Sequence, residues 1–291
     1  NPAVTPPLQR RATMRSMKKL LTTVLWLCPL ALHSADAHAW GLFTHVYFAQ
    51  LLVWAVPLAD PRLRRLAREL RHLVMAGACL PDLASVAPRA FAANHRWETV
   101  TRLLDESRDE REQALALGFA SHLLADVIAH NHFVPVHESL WVDIPLATHI
   151  TSEWAMDAHV APQLFATPTQ LLRREEGVIT HFVSHHFRLD DAAARQHLNA
   201  LARADAVLRA SRLPELAYRA ARRLDGRLER RFNHFAVQTA ERMVQLNRLL
   251  EGAAPVLHPE AACRRTARAQ VEQHGRRRVR LRLPLPAEIF C

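Results

Sequence analysis

The stretch SHLLADVIAHNH, residues 121–132, carries three histidines and an aspartate in an otherwise apolar segment. Residues four apart lie on the same face of an α-helix. This spacing predicts that His122, Asp126 and His130 form one stripe along a helix. His132 lies just beyond the end of that stripe. Such a helix either tolerates scattered polar side chains through local partners or forms one wall of a metal site.

The composition indicates a helical protein with a substantial core. The chain has 291 residues, of which 49% are hydrophobic, and this excludes a disordered or fibrous protein. Only 7 glycines and 2 tyrosines favour helix over sheet. The 18 histidines are an unusual number, and histidine is the commonest metal ligand. The net charge of +10 is almost entirely arginine and is not taken as a sign of nucleic-acid binding.

Segments with helical periodicity follow one another along the chain, and strand-like alternation is missing from this part of the sequence. The first starts with Asp60 as an N-cap and Pro61 in the first turn, and it ends at Gly77. We expect an all-α, bundle-like single domain over residues 40–252. Its helical segments are predicted at 61–77, 110–131, from Pro145 onward, 168–187, 190–212 and 214–251, with the second ending near Pro135.

The two ends of the chain differ from this body. Lys18 and Lys19, an apolar run over 20–32 and the sequence AHA before Trp40 are typical of a secretory signal peptide. We therefore expect residues 1–39 to be removed by cleavage between Ala39 and Trp40, and the protein to be secreted or periplasmic. The end of the chain, RRRVRLRLPLPAEIFC, suits an edge strand, a basic tail or a disordered extension. We predict that residues 253–291 form a basic C-terminal extension, and we prefer a solvated tail to a lipid-binding element.

Further candidate ligands lie on other segments. His149 and Glu153 repeat the four-residue spacing on the next helix, and helical bundles build interior metal sites in this way. Cleavage before Trp40 would free an α-amine that can chelate a metal with its own carbonyl, five residues before His45. Because no C-x-x-C pair is present, histidine, carboxylate and backbone atoms must be the ligands.

Five motifs occur in a set order along the chain. They are WGLFTH at 40–45, PDL with Asp82, NHRW with His95, SHLLADVIAHNHFVP at 121–135, and HITSEW at 149–154. Together they resemble the zinc-dependent phospholipase C family, which is related in fold to secreted single-strand-specific nucleases.

The resemblance implies up to three zinc ions in a helical cleft. The implied ligand sets are Asp82, His95, His122 and Asp126 for one ion; the Trp40 amine and carbonyl, His45 and a shared Asp126 for a second; and His149, Glu153 and either His130 or His132 for the third. Helical geometry favours His130, whereas the spacing from Asp126 in the secreted phospholipases favours His132. The resemblance also implies that Asp82 orients or deprotonates the attacking water. The alternative for Asp82 is a helix cap after Pro81.

The predicted function is that of a secreted zinc-dependent phosphodiesterase with phospholipase C-like action on a phospholipid headgroup. A phospholipid or membrane surface would be its partner, and no protein partner is implied. The alternatives are a single-strand-specific nuclease of the same fold, with nucleic acid as substrate, and a non-catalytic helical protein that binds metal or lipid. The histidines of THFVSHHF, which are His181, His185 and His186, have no carboxylate nearby in sequence. We expect them to be surface or supporting residues rather than a further metal site.

Overall fold

The structure is a computed structural model that describes residues 41–141, 145–259 and 288–291, with the backbone alone for 145 and 146. Within these ranges every regular element is a helix, and the β-pairing is a single antiparallel bridge between Pro255 and Phe290. The predicted all-α fold is confirmed. No helix among the described residues is both long and apolar enough to cross a membrane. The predicted signal peptide and Trp40 lie outside the described residues.

The helices follow one another with short connections. They are α1 (Leu42–Trp54), α2 (Pro61–Glu69), α3 (Arg71–Gly77), α4 (Leu83–Val86), α5 (Trp97–Glu106), α6 (Glu110–Ile128), α7 (Val134–Leu140), α8 (Pro145–Val160), α9 (Pro168–Arg174), α10 (Glu176–Phe187), α11 (Asp191–Ala210), α12 (Leu213–Leu224), α13 (Leu228–Arg242) and α14 (Leu246–Leu250).

Helix α6 is the central element of the fold. The Asp109 carboxylate caps it by accepting hydrogen bonds from the backbone N–H groups of Arg111 and Glu112. From Ala114 to its end the helix is almost entirely buried, and α1, α3 and α5 pack against it. Such an all-round apolar helix is typical of a core position. Its two polar residues in the last two turns, His122 and Asp126, therefore lie in the interior of the protein.

Two glycines allow α3 and α6 to approach closely. A Cβ on Gly118 of α6 would lie 1.9 Å from the Val74 carbonyl oxygen, and a Cβ on Gly77 of α3 would lie 2.2 Å from the Leu115 carbonyl oxygen. Both distances are far below van der Waals contact. Glycine is therefore needed at both positions, because the two backbones touch directly.

Several predicted helices are interrupted. The segment 61–77 breaks at Leu70 (φ −102°, ψ 31°), and the segment 168–187 breaks at Glu175. The segment 214–251 divides after Leu224, where Asp225 accepts a hydrogen bond from the Arg227 N–H across an Asp-Gly turn. The prediction of single helices was wrong in these three places. Periodicity detects apolar faces, and these faces continue across a one- or three-residue break.

A π-helical turn, Ala129–Phe133, joins α6 to α7. The Val134 N–H donates to the Ala129 carbonyl five residues back, so the turn contains one more residue than an α-helical turn. Each added residue rotates the following side chains by about 100° around the axis. Pro135 lies in the first turn of α7 rather than at a helix end, because its missing N–H costs nothing there.

The end of the chain packs into the helical domain. Ile289 and Phe290 are fully buried, and the Phe290 ring packs edge-on against Trp97 at the start of α5. The Val256 N–H donates to the Ile289 carbonyl, and the Trp97 indole N–H donates to the Leu257 carbonyl. Ile289 and Phe290 are thus core residues, whereas the sequence placed them in a solvated extension. The arginine-rich residues before them lie outside the described residues.

Candidate metal centre

Five side chains converge on the C-terminal half of α6, and we call this group the α6 centre: His45, Asp82, His95, His122 and Asp126. The Asp126 carboxylate lies at its middle. Asp126 Oδ1 is 3.3 Å from His45 Nε2, and Asp126 Oδ2 is 3.2 Å from His122 Nε2 and 3.5 Å from His95 Nε2. The rings of His45 and His122 stack with centroids 3.5 Å apart. Three imidazoles thus face the two oxygens of one buried carboxylate.

Asp82 completes this group from the turn before α4. Its Oδ1 is 4.0 Å from both His95 Nε2 and His122 Nε2. The Asn94 side-chain amide donates to the carbonyls of Leu80 and Pro81, and this ties the loop carrying His95 to the turn carrying Asp82. Although Asp82 directly precedes α4, its side chain makes no capping hydrogen bond. The side chain is directed to the histidines instead of to the helix.

The hydrogen bonds of His122 fix the nitrogen that faces the centre. Its Nδ1–H donates to the Ala78 carbonyl at 2.8 Å, so the lone pair of the neutral ring is on Nε2. Neither His122 Nε2 nor either Asp126 oxygen has a hydrogen-bond partner among the described residues, and all three atoms are buried. Buried polar atoms without partners cost free energy unless a ligand satisfies them. The donor set of imidazole nitrogen and carboxylate oxygen fits zinc.

The charges of the α6 centre also favour a cation. Burial raises the pKa of Asp82 to about 8 and raises the pKa of Asp126 as well. Burial lowers the pKa of His122, but the carboxylates of Asp126 and Asp82 outweigh this effect, and the net change is a rise. Buried carboxylates with raised pKa values are poorly compensated negative charges. A bound divalent cation would compensate them.

The start of α1 is fixed by a buried aspartate from α8. Asp157 Oδ1 accepts hydrogen bonds from the Thr44 N–H at 2.9 Å and the Thr44 hydroxyl at 2.7 Å. Its other oxygen accepts from Arg209 of α11, whose guanidinium also lies 3.9 Å from the centre of the Phe43 ring. A Cβ on Gly41 would lie 2.1 Å from Asp157 Oδ2. Gly41 is therefore required, and Asp157 positions the segment that holds His45.

A second pair lies on α8. His149 Nε2 contacts Glu153 Oε1, both side chains are buried, and burial raises the pKa of Glu153 to about 7. The ring of His130 lies edge-on to His149 with centroids 5.7 Å apart. His132 is also buried, with a pKa lowered by burial to about 4. The contact with His149 favours His130, and the choice between the two stays a prediction.

The model of the zinc-dependent phospholipase C family matches residues 44–182. The chain contains a domain of the zinc-dependent phospholipase C family. The resemblance seen in the sequence is thereby confirmed. Neither the comparison with curated proteins nor that with solved structures gives a match.

The presence of this domain has direct consequences for the chemistry. It implies zinc dependence, phosphodiester hydrolase activity and a phospholipid substrate. The matched range contains the α6 centre and the pair on α8. Trp40 precedes the matched range and the described residues, so its role as a ligand stays a prediction. The ligand assignments of the other residues are likewise predictions, which the geometry above supports.

Other histidines have partners that are distant in the sequence. His159 Nε2 lies 2.8 Å from Asn233 Oδ1, and its Nδ1 lies 3.3 Å from the Tyr218 hydroxyl. His185 and His186 have no carboxylate nearby in sequence, but the fold brings two carboxylates to His186. Glu112 and Glu106, which are more than 70 residues earlier, lie 3.5 Å from the His186 ring nitrogens. Sequence spacing gave no signal for either arrangement, because both depend on helix packing.

Proposed function

We propose that this family member is an exported phospholipase C that cleaves the phosphodiester bond of a phospholipid headgroup with a zinc-activated water. The observation that carries the proposal is the convergence of three imidazoles and two carboxylates in the α6 centre, inside the range that matches the family. Export is proposed from the signal-peptide pattern, with cleavage between Ala39 and Trp40, and the location would be secreted or periplasmic.

The proposed ligand sets follow the groups in the structure. One zinc ion would be held by Asp82, His95, His122 and Asp126, and a second by His45 with Asp126 shared between them. A third would be held by His149 and Glu153 together with His130 or His132. Bound zinc supplies Lewis-acid chemistry, which neutralises phosphate charge and makes water a stronger nucleophile near neutral pH.

The side chains of the chain itself contribute position and proton transfer. The Ala78 carbonyl holds His122 in one tautomer, so its Nε2 lone pair faces the centre. With zinc compensating its charge, the Asp82 carboxylate would be ionised, and its position beside His95 and His122 would suit it as a general base. Asp82 would accept a proton from the attacking water. The burial of these residues limits access of other water to the reacting phosphate.

The free amine of Trp40 is proposed as a further ligand after export. Asp157 accepts the Thr44 N–H and lies directly against Gly41, so the backbone that follows Trp40 has a defined position beside His45. Adding one residue before Trp40 in the mature chain would remove the chelating amine. We expect this extended chain to lose about one zinc ion and most of its activity. Equal activity in both chains would exclude the amine as a ligand.

Paired assays of the zinc-loaded mature chain test the proposal. We expect release of the phosphorylated headgroup, phosphocholine, from phosphatidylcholine vesicles and no cleavage of single-stranded DNA. The Asp126→Asn variant should be inactive, whereas Asp191→Asn, which changes an exposed carboxylate in the first turn of α11, should retain full activity. Cleavage of DNA alone would establish the nuclease alternative. Zinc binding without turnover of either substrate would favour a binding protein.

A further inference from the structure

Two glutamates and two histidines meet where the end of α10 lies against α5 and α6, and we call them the α10 cluster: Glu106, Glu112, His185 and His186. His186 lies between the two carboxylates, and its side chain has no exposed surface. Its Nδ1 is 3.5 Å from Glu106 Oε2, and its Nε2 is 3.5 Å from Glu112 Oε2. Neither ring nitrogen makes a hydrogen bond of ordinary geometry with a described residue. The contacts of this buried ring with the two carboxylates are therefore long, which is compatible with a further ligand between them.

Three of these side chains present donor atoms to a common point. One oxygen of Glu112 and one ring nitrogen each of His185 and His186 all lie within 4.8 Å of one another. Zinc ligands at 2.0–2.2 Å in a tetrahedron are separated by about 3.4 Å. The 3.5 Å between His186 Nε2 and Glu112 Oε2 is already close to that value. Small side-chain rotations would bring His185 to the same separation.

Glu106 lies on the opposite side of the His186 ring. Its Oε2 faces Nδ1 and accepts a hydrogen bond from Arg102 Nη1 at 3.1 Å, and the same Arg102 nitrogen donates to the His186 carbonyl. A carboxylate on the second nitrogen of a metal-binding histidine fixes the tautomer and raises its basicity. Glu106 would keep the proton on Nδ1 and leave the Nε2 lone pair directed at Glu112.

An ion pair without metal is a weaker explanation of the same contacts. Burial lowers the pKa of His186, although Glu112 and Glu106 act against this, so the charged imidazolium is disfavoured. The Arg108 guanidinium contacts His185 Nε2, whereas His185 Nδ1 is buried and has no hydrogen-bond partner among the described residues. Arg108 would compete with a metal ion for the His185 ring.

We propose that Glu112, His185 and His186 form a further binding site for a zinc-type divalent cation, with Glu106 as a positioning residue. Both histidines lie beyond the range 44–182 that matches the family, so the site belongs to this chain rather than to the family centre. Three protein ligands leave a fourth position, which would face the surface cleft lined by Arg102, Arg108 and Arg188. The proposal does not depend on phospholipase activity.

The test compares zinc content in the full mature chain. Wild type and the double variant Glu112→Gln/His185→Gln are stripped with a chelator, reloaded with zinc and freed of excess metal. We expect the double variant to hold one equivalent less than wild type and to keep its phosphodiesterase activity. His181→Gln is the matched control, because His181 is exposed on the same helix with its ring centre 6.3 Å from His185. It should hold as much zinc as wild type. Equal zinc in all three proteins would overturn the proposal.

A second variant keeps the test decisive if the double variant fails to fold. Arg108→Gln removes the competing guanidinium without removing a ligand. We expect it to tighten the weakest class of zinc sites several-fold in a calorimetric titration, whereas a purely structural role of the cluster predicts no tightening. Diffraction at the zinc edge gives a direct readout. An anomalous peak between Glu112 and His186 supports the site, and zinc peaks confined to the α6 centre and the pair on α8 refute it.

Discussion

The α6 centre and the α10 cluster contain the same metal-binding residue types, histidine and a carboxylate, but they are encoded differently. In the α6 centre, His122 and Asp126 lie four residues apart on one helix, so the sequence displays part of the site directly. In the α10 cluster the carboxylates are on α5 and α6 while the histidines are on α10, more than 70 residues later. The first site is therefore visible as a motif and the second only as a contact between helices. The four predictions below test this comparison.

The largest effect is expected for Asp126→Asn. Asp126 faces three imidazoles, and the amide replaces one carboxylate oxygen by a nitrogen that cannot bind zinc. We expect the variant to lose up to two zinc ions and to fall at least about 10³-fold in kcat/KM, equivalent to about 4 kcal/mol of transition-state stabilisation. Zinc analysis and vesicle hydrolysis measure both effects. The zinc bound by the α10 cluster should remain, and its loss would show that the two regions are coupled.

The next effect concerns the positioning of α1. In Gly41→Ala the new Cβ would meet Asp157 Oδ2 at 2.1 Å, so the start of α1 must move away from the centre. We expect a loss of one zinc ion, a reduction of about 10²-fold in activity and a loss of about 2 kcal/mol in the free energy of unfolding.

Gly177→Ala is the control for this change. Gly177 lies in α10, and no neighbouring atom lies within 4 Å of the position that an added Cβ would take, so alanine should stabilise the helix by about 0.5–1 kcal/mol. Denaturant unfolding of both variants measures the difference. Normal zinc content and activity in Gly41→Ala would contradict the role given to Asp157.

A smaller effect is expected for Glu106→Gln. The amide cannot accept from His186 Nδ1–H with the strength of a carboxylate, so the tautomer is less well fixed. We expect the zinc affinity of the α10 cluster to fall about 10-fold while its stoichiometry remains unchanged, as is typical when such an outer carboxylate is replaced. Calorimetric titration distinguishes the two quantities. A loss of stoichiometry would mean that Glu106 is itself a ligand, and unchanged affinity would mean that it has no part in the site.

The smallest effect is expected for the stability of the metal-free protein as a function of pH. Burial raises the pKa of Asp82 to about 8 in the folded state, above its unfolded value of 3.8. The folded state thus retains a proton that the unfolded state loses, so this contribution to stability is fully present below the unfolded pKa and is lost as pH rises towards about 8. We expect chelator-treated protein to melt several degrees lower at about pH 8 than at about pH 5.

Replacing the titrating group provides the control for this prediction. Asp82→Asn cannot ionise, so its melting temperature in the metal-free state should depend less on pH than that of wild type. Bound zinc should abolish the fall in melting temperature of wild type between about pH 5 and about pH 8, because a cation stabilises the ionised carboxylate. An equally steep fall in Asp82→Asn would assign the effect to other groups, of which Glu153, with a pKa raised to about 7, is the first to test.

The sequence alone predicted the positions of some site residues, but it did not predict the helix breaks. The four-residue spacing brought His122 and Asp126 to one site because α6 is regular there. The π-helical turn after Ile128 was not predicted, because periodicity within the segment carries no signal for the added residue. Leu70 and Glu175 interrupt helices without any glycine or proline at the break itself. Such breaks depend on how neighbouring helices pack, and periodicity within one segment does not contain that information.

The sequence by itself determined the all-α class, the family and the order of the ligand motifs, because helical spacing and short motifs are local properties. It also predicts that a signal peptide is removed and that the Trp40 amine then binds zinc, and experiment must test both predictions. Only the tertiary structure showed that Asp157 holds the start of α1, that His130 faces His149, and that Ile289 and Phe290 are core residues. Only the tertiary structure showed the α10 cluster as well, because its carboxylates and histidines meet across the contact between α10 and the helices α5 and α6.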